Sequence, residues 1–256
     1  MASPGADKRV SLYAAGSLRS ALGDISHEFE RVFGASVEAR FGPSGLLRER
    51  IESGERAQVF ASANMAHPEA LAVSLGVGPV VTFARNSLCA LVRGGAGVTG
   101  ENLLDRLLDP AVRLGTSTPG ADPSGDYAWQ LFDKVEALRP GAGARLKEKA
   151  MMLTGGRDPQ AVPVPAGCNA YAWMIRSDRV DVFLTYGTNA ILAQQEVPSL
   201  DIVPLPGGLA VGADYGVVVL DHSSADAWRL TFHLLSPAGQ AVLARYGFEA
   251  RATVPC

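Results

Sequence analysis

The sequence predicts an α/β protein built as two lobes, and three observations carry that prediction. Strand-like stretches alternate with amphipathic, helix-like stretches from residue 10 onward. Two β-rich passages, Val80–Val92 and Ile202–Leu220, bracket a self-contained run of helices and strands from about Asn102 to Gln195. Helical periodicity then returns over Ser224–Leu235 and Pro237–Tyr246. A chain that leaves one α/β unit, builds a second and comes back makes two crossovers, and the cleft between such lobes is a usual ligand site. The division reads as 1–84 with 214–256 for one lobe and 85–213 for the other.

Val10–Ala14 reads as the first strand. Leu18, Leu22, Ile25 and Phe29 follow at helical spacing, so a helix is expected over Ser17–Phe33. Val37–Phe41 is the second strand, Ser44–Ser53 the second helix, stopped by Gly54, and Val59–Ala61 a very short third strand. Further on, Val112–Gly115 is a strand. Asp122 and Pro123 then suit the cap and first position of a helix running through Trp129 and Phe132. Tyr171–Ser177 reads as a helix and Val182–Thr185 as a strand.

Composition narrows the function. The 256 residues are 47% hydrophobic and 19% charged, ordinary for a protein with a large core. A net charge of −3 gives no electrostatic footprint for nucleic acid or an anionic membrane. Met1–Arg9 has no apolar core of a signal peptide, and no stretch is long and apolar enough to span a bilayer. The chain is therefore expected to be cytoplasmic, or exported with its signal missing from this sequence. Cys89, Cys168 and Cys256 have no metal spacing; Cys89, in the apolar run Ser87–Val92, reads as a core filler, and the disulfide state stays open. His27, His67, His222 and His233 make no ligand spacing, and no acid, base and nucleophile set is assembled, so an enzyme is not expected.

The informative residues sit at strand-to-helix corners. Ala14-Ala-Gly-Ser17-Leu and Phe41-Gly-Pro-Ser44-Gly each place a serine after a strand and at the mouth of a helix. First-turn amides lack intrahelical acceptors and carry partial positive charge, so a hydroxyl beside them suits an anion oxygen. Equally, a serine there can be a plain N-cap, its commonest role. The turn from Thr116 to Tyr127 is a third corner, with Ser124 and Gly125 presenting amides after Asp122-Pro123. Cys168, opening Gly167-Cys-Asn169, is a fourth, and the Tyr186 phenol a fifth donor. Gly95-Ala-Gly97-Val-Thr-Gly100 matches a dinucleotide fingerprint by spacing, but Asp109-Pro110 stops the helix after it. A glycine-rich turn capped by Thr99 is expected instead.

Taken together, from about Val10 to Phe248, these residues resemble the family of molybdate-binding proteins of ABC transporters. The resemblance rests on the two serine corners, Ile51-Glu-Ser-Gly, Ala57–Ala63, Asp122-Pro with Gly125-Asp-Tyr127-Ala, Asp181–Tyr186 and the ending Tyr246-Gly-Phe. It implies a periplasmic-binding-protein fold of type II, with two mixed sheets flanked by helices and two hinge crossovers. It implies molybdate or tungstate bound between the lobes, with Ser17 and Ser44 donating from one and Ser124 or Gly125, Cys168 and Tyr186 from the other. Asp122 is either a cap or, as in some related oxyanion binders, a carboxylate on the metal. The implied partners are a membrane permease and its ATPase, with the receptor periplasmic and monomeric and no cofactor beyond the ligand. Another anion such as sulfate, or an effector-sensing domain of the same fold, are the alternatives.

Overall fold

A computed structural model describes residues 9–120, 122–154 and 164–250. The chain divides into two compact units, Met1–Arg85 with Ala213–Cys256, and Asn86–Gly212. It passes from the first to the second within one long strand and returns at the start of another.

In the first unit the order is β1 (Arg9–Ala15), a 3-10 turn (Gly16–Leu18), α1 (Arg19–Phe33), β2 (Ser36–Gly42), α2 (Ser44–Glu52), β3 (Val59–Ser62), α3 (Ala66–Leu75) and the start of β4 (Val81–Arg93). α1 buries Ala21, Leu22, Ile25 and Phe29, the stripe that its spacing promised. Gly34 closes it at φ +66°, donating its N–H to the Glu30 carbonyl, a left-handed cap that a side chain would strain. β1 pairs in parallel with both β2 and β3, with Ala15 opposite Gly42 and Ala14 opposite Ala61. Those two registers bring the exits of all three strands to one edge of the sheet. Tyr13, Leu47, Ile51, Phe60, Leu71 and Val218 form a core beneath that edge.

The second unit holds the rest of β4, α4 (Leu103–Leu108), β5 (Leu114–Ser117), α5 (Pro123–Leu138), α6 (Ala142–Lys149), β6 (Met151–Thr154), α7 (Ala170–Arg176), β7 (Val182–Tyr186), α8 (Gly187–Glu196) and β8 (Leu200–Pro204). β5 pairs in parallel with β6 and β7, and β4 runs antiparallel to β7 and β8. The sheet is covered on both faces, which is why its strands read as unbroken apolar runs. Leu88, Ala90, Val92, Val182 and Leu184 enter one core with α5 and α6; Cys89, Leu91 and Phe183 enter the other with α7 and α8. Cys89 is 5% exposed, and burial pushes its thiol up to about 12, so it fills space as expected. Cys168 is exposed and unbridged, while Cys256 lies outside the described residues.

The chain re-enters the first unit through β9 (Gly212–Val219), which lies antiparallel to β3 with Ser62 opposite Gly216. α9 (Ala225–Leu235), α10 (Pro237–Arg245) and β10 (Glu249–Ala250) complete it, with β10 pairing Arg85 and Ala84 of β4. Several expectations change in detail. The passage Ile202–Leu220 is two strands separated by a 3-10 turn at Gly207–Leu209, because Pro204 and Pro206 remove ladder donors. The first turn of the Ser17–Phe33 helix is 3-10 rather than α. At the glycine-rich turn, Thr99 and Asn102 exchange backbone-to-side-chain hydrogen bonds of 2.8 and 3.4 Å ahead of α4, so the segment is a capped turn. Among the described residues no helix is long and apolar enough to cross a membrane, and no cluster of side chains could hold a metal ion.

Candidate functional site

In an open α/β sheet, ligands gather beyond the carboxyl ends of the parallel strands. In the first unit that edge carries both predicted serines, one after β1 and one after β2. Neither serine caps its helix. The residues at the cap positions are Ala15 and Leu18 for the first corner and Pro43 for the second, and none makes a side-chain cap bond. The plain N-cap reading of Ser17 and Ser44 is therefore set aside by the geometry. Each hydroxyl is held by a group from elsewhere in the fold. The Ala63 amide, just past β3, donates to Ser44 Oγ at 3.1 Å, and Ser17 Oγ lies 3.0 Å from the Tyr215 phenol on β9. An amide can only donate, so the Ser44 proton remains available for an acceptor outside.

Two further groups mark this edge. The Arg19 guanidinium sits over the Phe41 ring, 4.8 Å from its centroid, so a cation stands on the same corners as the serines. The His67 ring lies 3.6 Å from where a Gly45 side chain would begin, and its Nδ1 is buried without a partner. Burial, followed by the charge of Arg48, holds this imidazole below its ordinary value, so it presents a neutral ring to the second corner.

The second unit has its own polar edge, where β5, β6 and β7 end. Asp122 caps α5: its Oδ1 accepts from the Ser124 amide at 2.9 Å, with Pro123 in the first turn. The Ser124 hydroxyl, fully buried, lies 2.7 Å from Ser117 Oγ and 2.9 Å from Asp122 Oδ1. Ser117 Oγ in turn lies 2.8 Å from Thr154 Oγ1. The Gly125 amide donates to the Asp122 carbonyl at 2.9 Å. Glycine is required there, since a Cβ would stand 2.6 Å from the Thr118 carbonyl carbon. In this conformation Ser124 and Gly125 therefore build the corner, and their amides are engaged within it. The Cys168 amide is likewise engaged, donating to the Pro165 carbonyl at 3.1 Å, while Asn169 caps α7. Tyr186 ends β7 at the N-terminus of α8, half-buried, its ring 5.5 Å from that of Tyr127.

Sequence reasoning missed the groups that support these corners. Tyr215 is 198 residues from Ser17, and no local motif announces such a partnership. Tyr171 reads in the sequence only as the start of a helix; its phenol accepts from the Asn189 side-chain amide, which also donates to Thr185 Oγ1, both at 3.0 Å. Burial, then the nearby Asp122 carboxylate, pushes the Tyr171 phenol above its ordinary value, so it stays protonated. The shared property of both edges is a concentration of hydroxyls and backbone amides at strand-to-helix corners.

Known proteins resemble this chain over most of its length. An uncharacterized protein of Pasteurella multocida is 37% identical over 242 residues, which cover 93% of this chain and 98% of that protein. The molybdate-binding protein ModA of Escherichia coli is 25% identical over 252 residues, 95% of this chain and 90% of that one. Among solved structures, the substrate-binding domain assigned to a molybdenum ABC transporter of Clostridium difficile superposes with a TM-score of 0.76 at 20% identity. That alignment covers 94% of this chain and 98% of the other, and it establishes a shared periplasmic-binding-protein fold. Residues 10–249 match the description of one family across both units, and the chain belongs to it: the bacterial extracellular solute-binding proteins.

Proposed function

We propose that this chain is the receptor of an ABC importer for a tetrahedral oxyanion, molybdate or tungstate, held by neutral N–H and O–H donors. Ser17, Ser44 and Tyr186 supply hydroxyls, and first-turn amides at the two serine corners supply N–H groups. The observation that carries this reading is Ser44: it stands in the first turn of α2, leaves its helix uncapped, and has its oxygen held by the Ala63 amide. A hydroxyl so held has its proton to give, beside backbone donors that no helix carbonyl can reach. The similarity to ModA of Escherichia coli supports the choice of ligand.

The energetics are adequate. A dianion that leaves water must recover its solvation from many donors at once. Hydrogen bonds to a charged group contribute about 1.5–3 kcal/mol each. A handful therefore matches the roughly 8–12 kcal/mol of micromolar to nanomolar binding after ordering costs. A set rich in donors also discriminates: protonated phosphate brings an O–H that competes with those donors for the few hydroxyl oxygens able to accept it. Molybdate and sulfate are both fully ionised, so the choice between them falls to size. Arg19, at the rim of the first two corners, adds attraction at a distance without entering the donor set. Asp122 acts as a cap, and Ser124, Gly125 and Cys168 shape their turns. Delivery of the ligand to a membrane permease outside the cytoplasm, by a monomeric receptor, completes the proposal.

The test is calorimetric titration with molybdate, tungstate, sulfate and phosphate, followed in parallel through Trp129, Trp173 and Trp228 emission. Micromolar or tighter binding of molybdate and tungstate, with phosphate silent, is the expected result. Tight sulfate binding with weak molybdate would move the receptor to sulfate, and silence toward all four anions would remove the oxyanion reading.

A further inference from the structure

We propose that Tyr215 is the positioning residue for the Ser17 hydroxyl, its phenol donating to Ser17 Oγ so that the serine proton is left for the anion. The inference rests on the oxyanion reading above. The two oxygens are 3.0 Å apart, and one of them must donate. A phenol is more acidic than an aliphatic alcohol and is the better donor of the two. A serine hydroxyl has a single proton that rotates freely. With one lone pair filled by the phenol, the serine does not give its proton back to that group, and the proton is left for an acceptor outside.

The tyrosine is built to hold still. It is 2% exposed, and its ring meets Phe83 and Phe248 edge to face at centroid distances of 6.3 and 5.3 Å. The second corner repeats the arrangement with a group that admits no ambiguity of direction, since the Ala63 amide donates to Ser44 Oγ. The two supports are neighbours in the fold. Ser62 is paired with Gly216, so Ala63 and Tyr215 flank the last rung of the β3–β9 ladder. One strand pair thus supplies an internal donor to the serine of each corner.

The experiment is a double-mutant cycle on the full chain, with Tyr215→Phe, Ser17→Ala and the double variant titrated with molybdate and their melting temperatures recorded. Tyr215→Phe keeps the ring and its packing. It is expected to weaken molybdate binding about threefold to tenfold, the range of one net hydrogen bond. Ser17→Ala is expected to weaken it further, and the double variant to bind no worse than Ser17→Ala alone. That non-additivity is what a purely structural role would not produce, because lost rigidity would multiply with the loss of Ser17. Two results overturn the proposal while the ligand reading stands: unchanged or tighter binding by Tyr215→Phe beside a weakened Ser17→Ala, or effects that multiply. Unchanged affinity in Ser17→Ala removes the serine from the site and the tyrosine with it. No molybdate binding by the unsubstituted protein removes the ligand reading and this inference together.

Discussion

Ser17 and Ser44 show how one residue type at one kind of corner can escape its usual role. A capping serine spends its oxygen on its own helix, whereas these two are engaged by the Tyr215 phenol on β9 and by the amide of the residue after β3. Substitution separates the two roles. Replacing a cap costs about 1 kcal/mol of stability, whereas replacing a ligand donor costs affinity. Ser44→Ala and Ser17→Ala are each expected to weaken molybdate binding by about 1–3 kcal/mol. Ser44→Ala also leaves the Ala63 amide without its acceptor, so a modest loss of stability should accompany the loss of affinity. Calorimetry beside urea denaturation checks this, and a stability loss without an affinity loss would return the serines to a structural role.

At the scale of an element, the third corner shows how tightly a helix can be set against a strand. α5 begins just after β5, and a Cβ at Gly125 would meet the backbone of Ser117, Thr118 and Pro119 at 2.6–2.7 Å. Gly125→Ala is expected to lower stability by about 1–3 kcal/mol, because the added methyl meets backbone that cannot yield. A denaturation curve indistinguishable from the parent would show that the turn relaxes. β7 is anchored at its other end by Asp181, whose carboxylate accepts from the Arg113 backbone amide at 2.8 Å and from its guanidinium at 2.9 and 2.6 Å. These bonds, with the guanidinium first, hold the Asp181 carboxyl below the ordinary carboxylate value. A depressed carboxylate stabilises the fold above its unfolded-state value, and the contribution disappears as pH falls through the folded-state value. Asp181→Asn should therefore destabilise the protein at neutral pH and make no difference once Asp181 is protonated. Melting temperatures of both proteins from pH 7 down to pH 2 test the convergence.

For the whole molecule, a ligand that binds only the folded state raises its stability by mass action. Molybdate at one hundred times its dissociation constant should add about 2.7 kcal/mol. In a chain of this size that is a rise in melting temperature of roughly 5–10 °C. Tungstate should match it and phosphate should not. An equal rise with all anions would report general salt stabilisation, which increases with ionic strength and not with occupancy.

Local patterns in the sequence determined a great deal here. Apolar period and cap residues placed α1, α2, α9 and α10 within a residue or two and the start of α5, and the burial of Cys89 followed from its place in an apolar run. Asp122 was legible as a cap because Pro123 beside it fits one backbone position only. The interruption and return of the α/β pattern announced two units, and the order of the serine corners announced a solute-binding family. What the sequence left open was what each polar group does with its hydrogen bonds. Whether Ser44 caps α2 or waits for a ligand depends on Ala63, and Ser17 depends on Tyr215, nearly two hundred residues away. Helix and strand are set by interactions between near neighbours, which a linear reading can see. The partner of a hydroxyl is set by which distant strands pair and in what register, and only the tertiary structure decides that.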